Sequence, residues 1–338
     1  MERTEKAHQT MPKIIAELCQ NHNGDRRRLG EMVLQAVENG ADIVKMQSIF
    51  STDLTKRKRF EEGRVDRTGK QVAIKRPYQL EFDRLSKLDL SYDDHLFFTD
   101  KCKELGAVPM TSIFSRHRIQ DVGELPWPER IVKVASYDCP SWPMIRELAD
   151  YFDYFIISTG ATYDEEIEKT AALVKQFGKK FAFLHCVTSY PNSLELCNIS
   201  RMQWLKQFTP KVGWSDHTLV ERDGIIAAKT AIMLGADYVE RHFTILPADQ
   251  TKDGPVSITP LLLKELSDFN KLSKEEQQEQ IEKEMPDWRI MLGSPTRKMT
   301  NAELLNRDYY RGRFASPLDG EWTYNWEDKP VARAIGVE

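Results

Sequence analysis

Residues 14–47 decide the fold, and they read IIAELCQNHNGDRRRLGEMVLQAVENGADIVKMQ. The first five form the short apolar run that is typical of a buried strand. Apolar residues then recur at helical spacing over residues 29–37, and Gly40 ends that helix. A second apolar run, at 42–47, begins the next strand. The stretch therefore predicts one complete strand–helix unit and the start of another.

The same unit repeats along the chain. Further strand-like runs fall at 108–112, 131–134, 155–158, 181–186, 211–214 and 238–242, with helical periods at 92–105, 116–123, 142–151, 164–177, 199–208, 221–234 and 260–272. Eight such units in about 260 residues predict an α/β protein with a (β/α)₈ TIM barrel. The alternative is an open doubly wound sheet, which would need a glycine-rich phosphate turn after the first strand. The sequence has no such turn there.

Two segments lie outside the repeat. Residues 52–77 are long and strongly charged, and in a barrel they would form a loop over the carboxyl-terminal face, where active sites lie. We therefore expect a catalytic barrel over residues 1–275 and a short, irregular C-terminal extension over residues 276–338. The aromatic residues Trp322 and Trp326 indicate that the extension packs on the barrel or on a partner subunit.

Composition excludes several classes of protein. Hydrophobic residues make up 41% of the chain and charged residues 30%, which is enough apolar material for a large core. A net charge of −4 disfavours a nucleic-acid partner. No apolar run approaches the roughly 20 residues that span a bilayer, and the polar first ten residues contain no signal-peptide core. The five cysteines form no CxxC pair, which indicates reduced thiols and a cytoplasmic location.

Polar residues cluster where the predicted strands end. Lys45 and Lys133 lie within apolar runs on alternate strands, where a lysine is costly unless it is paired or faces a site. Two such lysines would point at one anion. The alternative is a buried ion pair with Glu17 or Glu240.

Two histidines lie one unit apart, at equivalent ends of the last two strands. His217 and His242 in this arrangement suit a divalent metal, although a pair of hydrogen-bonded core histidines is the alternative. Glu17 is either a general base or a lysine partner. Four serines end other strands at the same level and are candidate donors to phosphate or carboxylate oxygens: Ser112, Ser136, Ser158 and Ser215. The residues by themselves predict metal-assisted chemistry on a phosphorylated small molecule.

Several ordered motifs resemble the sialic acid synthase family. They are Ile15-Ala16-Glu17 with Asn21-His22-Asn23-Gly24-Asp25, Ala41 to Gln47, Lys133 to Ser136, Ser158-Thr159-Gly160, His185 to Pro191, Gly213 to Thr218, and Glu240 to Thr244. Their order and spacing cover about residues 13–260, and residues 306–315 resemble the linker of that family.

The resemblance implies a reaction and roles for individual residues. Members of the family condense phosphoenolpyruvate with an N-acylmannosamine-type aldose to give a 2-keto-3-deoxy nonulosonate, in a (β/α)₈ barrel. By resemblance, phosphoenolpyruvate would be held by Lys45, Ser112, Lys133, Ser136, Ser158 and Ser215. His217 and His242 would ligate a divalent metal, Mn²⁺ or Mg²⁺. Glu17, Gln47, Tyr190 and Glu240 would surround the metal, the water and the sugar, with weaker acceptor-sugar contacts from Asn21, His22 and Asp253. The family also implies a homodimer or higher homo-oligomer.

Two departures from the family pattern concern the acceptor. Where the family has Pro-Gly-Pro-Asp, this chain has Lys252-Asp253-Gly254-Pro255-Val256. Only 23 residues follow Ala315, too few for the C-terminal antifreeze-like domain that the family pattern leads us to expect. Two other functions therefore stay open. One is a related synthase for a different or phosphorylated aldose, whose second phosphate would meet loop arginines: Arg57, Arg59, Arg64, Arg67 and Arg76. The other is a catalytically silent barrel that serves as a scaffold.

Overall fold

The computed structural model describes residues 11–328. Eight parallel strands form the barrel: β1 Lys13–Glu17, β2 Ile43–Ser48, β3 Val108–Ile113, β4 Ile131–Val134, β5 Tyr154–Ser158, β6 Lys180–His185, β7 Val212–Asp216 and β8 Tyr238–Phe243. Each strand pairs with the next, and β8 pairs with β1 from Lys13 opposite Tyr238 to Glu17 opposite His242. The sheet is therefore closed, which confirms the predicted barrel and excludes the open sheet.

A helix follows each strand and covers the outside of the barrel. These helices are α1 Arg26–Glu38, α2 Tyr92–Glu104, α3 Ile119–Gly123, α4 Trp142–Tyr151, α5 Asp164–Gln176, α6 Arg201–Leu205, α7 Ile226–Met233 and α8 Pro260–Asn270. Their apolar faces pack on the outward side chains of the strands in one large buried cluster. The helix predicted over 221–234 is divided into Val220–Asp223 and α7. The break is at Gly224, whose φ of +54° lies in the left-handed region that ends a helix.

The loop at 52–77 contains more regular structure than the sequence indicated. It carries the short helix Lys58–Glu61 and a small hairpin of Arg64–Val65 with Gln71–Ala73. Helix Tyr78–Leu85, which the apolar pattern did not predict, follows it. This segment packs on the C-terminal extension, because the Arg57 guanidinium donates to the Tyr309 carbonyl at 2.6 Å.

The extension is also more regular than expected. Its elements are helix Lys274–Glu284, helix Asn301–Tyr310 and the hairpin Ala315–Leu318 with Glu321–Tyr324. Helix Lys274–Glu284 packs on the barrel through Lys229 of α7, whose Nζ lies 2.7 Å from Glu284 Oε1. The division between barrel and extension at residue 275 stays a prediction. A two-residue strand, Ser257–Ile258, pairs with β8.

Some expectations concern residues at the termini. The polar first ten residues, and the end of the extension beyond residue 328, lie outside the described residues. Within residues 11–328, no helix combines the length and the apolar character needed to cross a bilayer. The five cysteines are all buried and unpaired.

Candidate active site

The interior of the barrel changes from apolar to polar along six of its strands. One buried cluster consists of Ile15, Ile43, Met110, Ile131, Ile156 and Leu184. Side chains alternate between the two faces of a strand, so the residue two positions later points to the same side. Those residues are Glu17, Lys45, Ser112, Lys133, Ser158 and Cys186. The apolar cluster closes the barrel. All of the residues above it except Cys186 line the floor of a cavity of about 290 Å³ at the carboxyl-terminal end.

Two lysines and two carboxylates form a network on this floor. Lys45 pairs with Glu17, and the ammonium groups of Lys45 and Lys133 lie 4.0 and 3.4 Å from Glu240 Oε1. Burial opposes ionisation of Glu240, but Lys133 and Lys45 nevertheless lower its pKa to about 2. Both lysines line the cavity. The sequence left open whether these lysines face an anion site or form buried ion pairs. In the structure each lysine is paired with a carboxylate and also lines the cavity.

Serine hydroxyls orient these charged groups. The contacts are Lys133 Nζ to Ser158 Oγ at 2.7 Å, Lys45 Nζ to Ser112 Oγ at 3.4 Å, and Ser215 Oγ to Glu240 Oε1 at 3.0 Å. Ser136 Oγ lies 3.0 Å from Cys186 Sγ. All four serines line the cavity, as does Gln47. The floor thus presents fixed hydroxyl and ammonium donors to a small anion.

His217 and His242 lie side by side above the floor. Their ring centroids are 5.0 Å apart and their planes are nearly perpendicular. Burial lowers the pKa of each imidazole to about 3, so both rings are neutral. His217 Nδ1 lies 3.1 Å from the Val187 carbonyl oxygen, which assigns the proton to Nδ1 and the lone pair to Nε2. The centroids of the Tyr190 and His217 rings lie 4.3 Å apart.

Two further side chains, Cys19 and Asp253, lie close to His242. Donor atoms of Cys19, His242 and Asp253 lie within 4.8 Å of one another, and His242 Nδ1 is buried with no hydrogen-bond partner. Cys19 directly follows the Leu18 that ends the first apolar run. A sulfur, a nitrogen and an oxygen donor in one place are a set that suits a divalent transition metal. The residues present therefore fit the divalent ion that the family resemblance implies.

The cavity rim carries four cationic side chains, three of which pair with the carboxylate of Glu81. Arg76, Arg84, Lys252 and Arg313 all line the cavity. The Arg84 guanidinium donates to both carboxylate oxygens of Glu81 at 3.1 Å. Lys252 Nζ lies 3.8 Å from Glu81 Oε1, and Arg313 also pairs with Glu81 Oε1. Burial lowers the pKa of Lys252 to about 7, and the neighbouring arginines contribute. This rim is strongly positive.

Thirteen of the fifteen residues singled out from the sequence line the cavity, and two do not. The Asn21 amide bridges the Phe243 carbonyl and the Ser257 hydroxyl, at 2.8 and 3.0 Å. His22 Nδ1 accepts from the Gly24 amide at 3.0 Å, within the turn before α1. Both side chains are held by the chain itself, and their contacts with the acceptor sugar stay a prediction.

The five loop arginines occupy different environments in the structure. Arg76 lines the cavity, whereas Arg57 is buried against helix Asn301–Tyr310 and Arg59 pairs with Asp308. Arg64 and Arg67 are exposed on the small hairpin. Of the five arginines considered for a second phosphate, the structure brings one to the site.

Sequence reasoning missed the residues that long-range packing brings to the rim. Lys252, Arg84 and Arg313 come from segments far apart in the chain, and no local pattern connects them. The extension also contributes Asn306 and Tyr310 to the cavity lining. The sequence did indicate the position of Cys19, because this residue lies two positions after Glu17, where β1 ends.

Comparison with known proteins identifies the family of the chain. Residues 32–282 match the family model described as the NeuB family. The chain belongs to the NeuB family. Its relatives include the N-acetylneuraminate-9-phosphate synthase of Drosophila melanogaster, 30% identical over 75% of this chain and 66% of that protein. The N,N'-diacetyllegionaminic acid synthase of Campylobacter jejuni is 31% identical over 75% of this chain and 73% of that protein. The chain thus spans slightly less than two thirds of the Drosophila relative.

Solved structures with the same fold include other barrels of this kind. An N-acetylneuraminic acid synthetase from Leptospira borgpetersenii superposes with a TM-score of 0.66 at 24% identity, covering 90% of this chain and 93% of that one. A phospho-2-dehydro-3-deoxyheptonate aldolase from Thermotoga maritima gives 0.55 at 14% identity, covering 81% and 70%. At these identities the likeness supports the fold.

Proposed function

We propose that this NeuB-family protein condenses phosphoenolpyruvate with an N-acylmannosamine-like aldose and releases phosphate. The product would be a 2-keto-3-deoxy sugar acid of the nonulosonate type. The observation that carries this proposal is the shared position of Lys45 and Lys133, whose ammonium groups lie within 4.0 Å of one carboxylate oxygen on the cavity floor. A scaffold protein needs no such pair, because holding two buried ammonium groups together is costly.

The floor supplies the phosphoenolpyruvate contacts. Lys45 and Lys133 would bind its phosphate and carboxylate, with hydrogen bonds from Ser112, Ser136, Ser158 and Ser215. Glu17 and Glu240 hold the two lysines in place before the substrate enters. Because Glu240 is ionised and paired, its proposed role is to orient charge rather than to donate a proton.

The histidine pair is the proposed metal centre. His217 and His242 would ligate a divalent ion, Mn²⁺ or Mg²⁺, and the donor atoms of Cys19 and Asp253 lie within 4.8 Å of that of His242. A sulfur ligand favours Mn²⁺ over the harder Mg²⁺. When bound, the ion supplies Lewis-acid polarisation of the acceptor carbonyl.

The remaining chemistry concerns two substrates and one water. C3 of phosphoenolpyruvate attacks the aldehyde carbon and forms the new C–C bond. Water adds at C2. The bond between C2 and the oxygen that joins it to phosphorus then breaks, and phosphate leaves with that oxygen. Gln47 and Tyr190, which line the cavity near the floor and beside His217, would position the water and the sugar. No P–O bond breaks, so a Walker-type loop is not required.

Further expectations belong to the same proposal. Phosphoenolpyruvate and the aldose would be the partners, without nucleic acid or a membrane, in a cytoplasmic homodimer or higher homo-oligomer. Names of the relatives differ in the sugar acid that they specify, so the acceptor is the variable part of the reaction.

The test is phosphate release from phosphoenolpyruvate, measured with Mn²⁺ and a panel of aldoses. The proposal expects release that depends on one class of aldose, with a sugar acid formed in equal amount. Folded, metal-loaded protein that releases no phosphate with any aldose would contradict it and would favour the scaffold.

A further inference from the structure

We propose that the buried ion pair of Asp216 with Arg241 is a positioning pair, which sets the spacing of His217 and His242 for a divalent ion. Each member of the pair directly precedes one of the two histidines in the chain. This inference rests on the proposed function, because it concerns the ion that these histidines would hold.

The pair lies behind the site, on the outer face of the barrel sheet. Ser215 and Glu240 line the cavity, and side chains alternate between the two faces of a strand. Asp216 and Arg241 therefore point the other way, toward the layer of helices. They are register partners on β7 and β8, and both side chains have an exposed fraction of 0%. The ion pair thus joins the two strand ends that carry the histidines, from the side away from the cavity.

The Arg241 guanidinium connects three segments of the chain. It pairs with Asp216, and its Nη1 donates to Thr218 Oγ1 at 3.0 Å. Its Nη2 donates to the Val256 carbonyl at 3.3 Å. Asp216 Oδ1 also accepts from the Thr218 amide at 2.9 Å, so the backbone on both sides of His217 is held. The end of β7 is thereby fixed relative to β8.

The contact with Val256 extends to the loop that carries Asp253. The Val256 amide donates to the Asp253 carbonyl at 3.2 Å, and the Ser257 hydroxyl donates to the same carbonyl at 2.7 Å. The carboxylate of Asp253 lies close to His242. One guanidinium group therefore contacts the loop of Asp253 as well as the ends of β7 and β8.

Stability alone gives no reason for an ion pair at this position. Taking two charges out of water costs free energy that is comparable with their attraction, and well-packed apolar residues of similar size are often as stabilising. Apolar side chains pack without a preferred direction, whereas the forked donors of a guanidinium group fix the orientation of the groups that they bind. A metal centre requires such precision, because its metal–ligand distances vary by only about 0.2 Å.

The experiment replaces the pair with apolar side chains of similar shape, Asp216→Leu together with Arg241→Met, so that no buried charge is left unpaired. Equilibrium dialysis of the full chain measures the dissociation constant of Mn²⁺, and chemical denaturation measures the stability of the metal-free chain. The visible spectrum of the Co²⁺-loaded chain reports the geometry of the ligands.

Arg297→Met together with Glu303→Met is the matched control. Arg297 Nη1 lies 2.8 Å from Glu303 Oε2, and the side chains are 11% and 0% exposed. This pair is also a buried arginine–carboxylate pair, but it belongs to the C-terminal extension. The control should keep the Mn²⁺ affinity of the wild type, even where it loses stability.

We expect the Asp216→Leu, Arg241→Met variant to bind Mn²⁺ about tenfold or more weakly, which is the loss that supporting residues of a metal site commonly cause. Its Co²⁺ spectrum should differ from that of the wild type, and its denaturation midpoint should stay close to the wild-type value. A folded variant with the Mn²⁺ affinity and the Co²⁺ spectrum of the wild type would overturn the proposal, whatever its stability.

Arg241→Lys decides the question if the double variant does not fold. Lysine keeps the charge opposite Asp216, but it has no fork that reaches Thr218 and Val256 at once, so Mn²⁺ should again bind about tenfold more weakly. Wild-type affinity in Arg241→Lys would overturn the positioning pair and leave the proposed function intact. A wild-type chain that binds no divalent ion would contradict the metal centre of the proposed function, and the positioning pair with it.

Discussion

Lys133 on β4 and Glu240 on β8 face each other across the barrel, with the ammonium nitrogen 3.4 Å from the carboxylate oxygen. Strands four and eight lie on opposite sides of a closed eight-stranded sheet, so this ion pair crosses the interior. Both side chains are buried, and Ser158 and Ser215 contact them. The pair therefore fixes the centre of the cavity floor.

The first prediction concerns the two floor lysines. Lys45→Met or Lys133→Met should each weaken phosphoenolpyruvate binding by about 2–4 kcal/mol, because each removes a desolvated charged contact. Isothermal titration of the folded variant with phosphoenolpyruvate measures this.

Lys229→Met is the matched control for that prediction. Lys229 is also buried and paired with two carboxylates, Glu265 and Glu284, but it lies on α7 outside the barrel. The control should lose stability and keep its affinity for phosphoenolpyruvate. If both floor variants bind as tightly as wild type, those lysines are structural.

The second prediction concerns the metal ligands. His217→Gln and His242→Gln should each abolish tight binding of one divalent ion per chain, measured by equilibrium dialysis. In protein loaded with Co²⁺, ligation by the Cys19 sulfur should give a thiolate charge-transfer band in the near ultraviolet. Cys19→Ser should remove that band. A cobalt-loaded wild type without the band would exclude Cys19 from the ligand set.

The third prediction concerns pH and the attachment of the C-terminal hairpin. Burial raises the pKa of Asp138 to about 6, against hydrogen bonds from Asn325 and Ser141. The folded protein therefore binds the Asp138 proton more tightly than the unfolded chain, in which the pKa is about 4. This stabilises the folded state below pH 4, and the stabilisation is lost as the pH rises through 6. The free energy of unfolding falls by about 3 kcal/mol at most.

Asp138→Asn tests this prediction, because the amide does not ionise. Between pH 4 and pH 6, the stability of the wild type should fall relative to that of the variant. Chemical denaturation at a series of pH values gives the comparison. Parallel curves for the two proteins over this range would show that Asp138 titrates normally.

Much of the floor could be predicted from the sequence because it follows from strand periodicity. Ile15 and Glu17, or Ile43 and Lys45, are two positions apart, so a buried strand necessarily puts them on the same side. The carboxyl-terminal end of a barrel then brings such residues together. His217 and His242 follow from the same reasoning on the last two strands.

The rim could not be predicted in this way. Arg84 and Arg313 meet because helix Tyr78–Leu85 and the extension fold over the same end of the barrel, and both bind Glu81. The Arg84 contact is a local i,i+3 pair within that helix, whereas the Arg313 contact joins residues 232 positions apart and has no local sequence signal. The sequence also led us to expect Asn21 near the sugar, whereas its amide is bound to the backbone of β8.

The fourth prediction is the most direct test of the proposed reaction, and it follows the oxygen that joins C2 of phosphoenolpyruvate to phosphorus. Phosphoenolpyruvate labelled with ¹⁸O at that bridging position is turned over with the preferred aldose, and both products are analysed by mass spectrometry. Attack by C3, followed by addition of water at C2 and loss of phosphate, breaks the C–O bond and predicts that the released phosphate carries the label. Retention of the label in the sugar acid would mean that the P–O bond breaks, and it would contradict the proposed reaction.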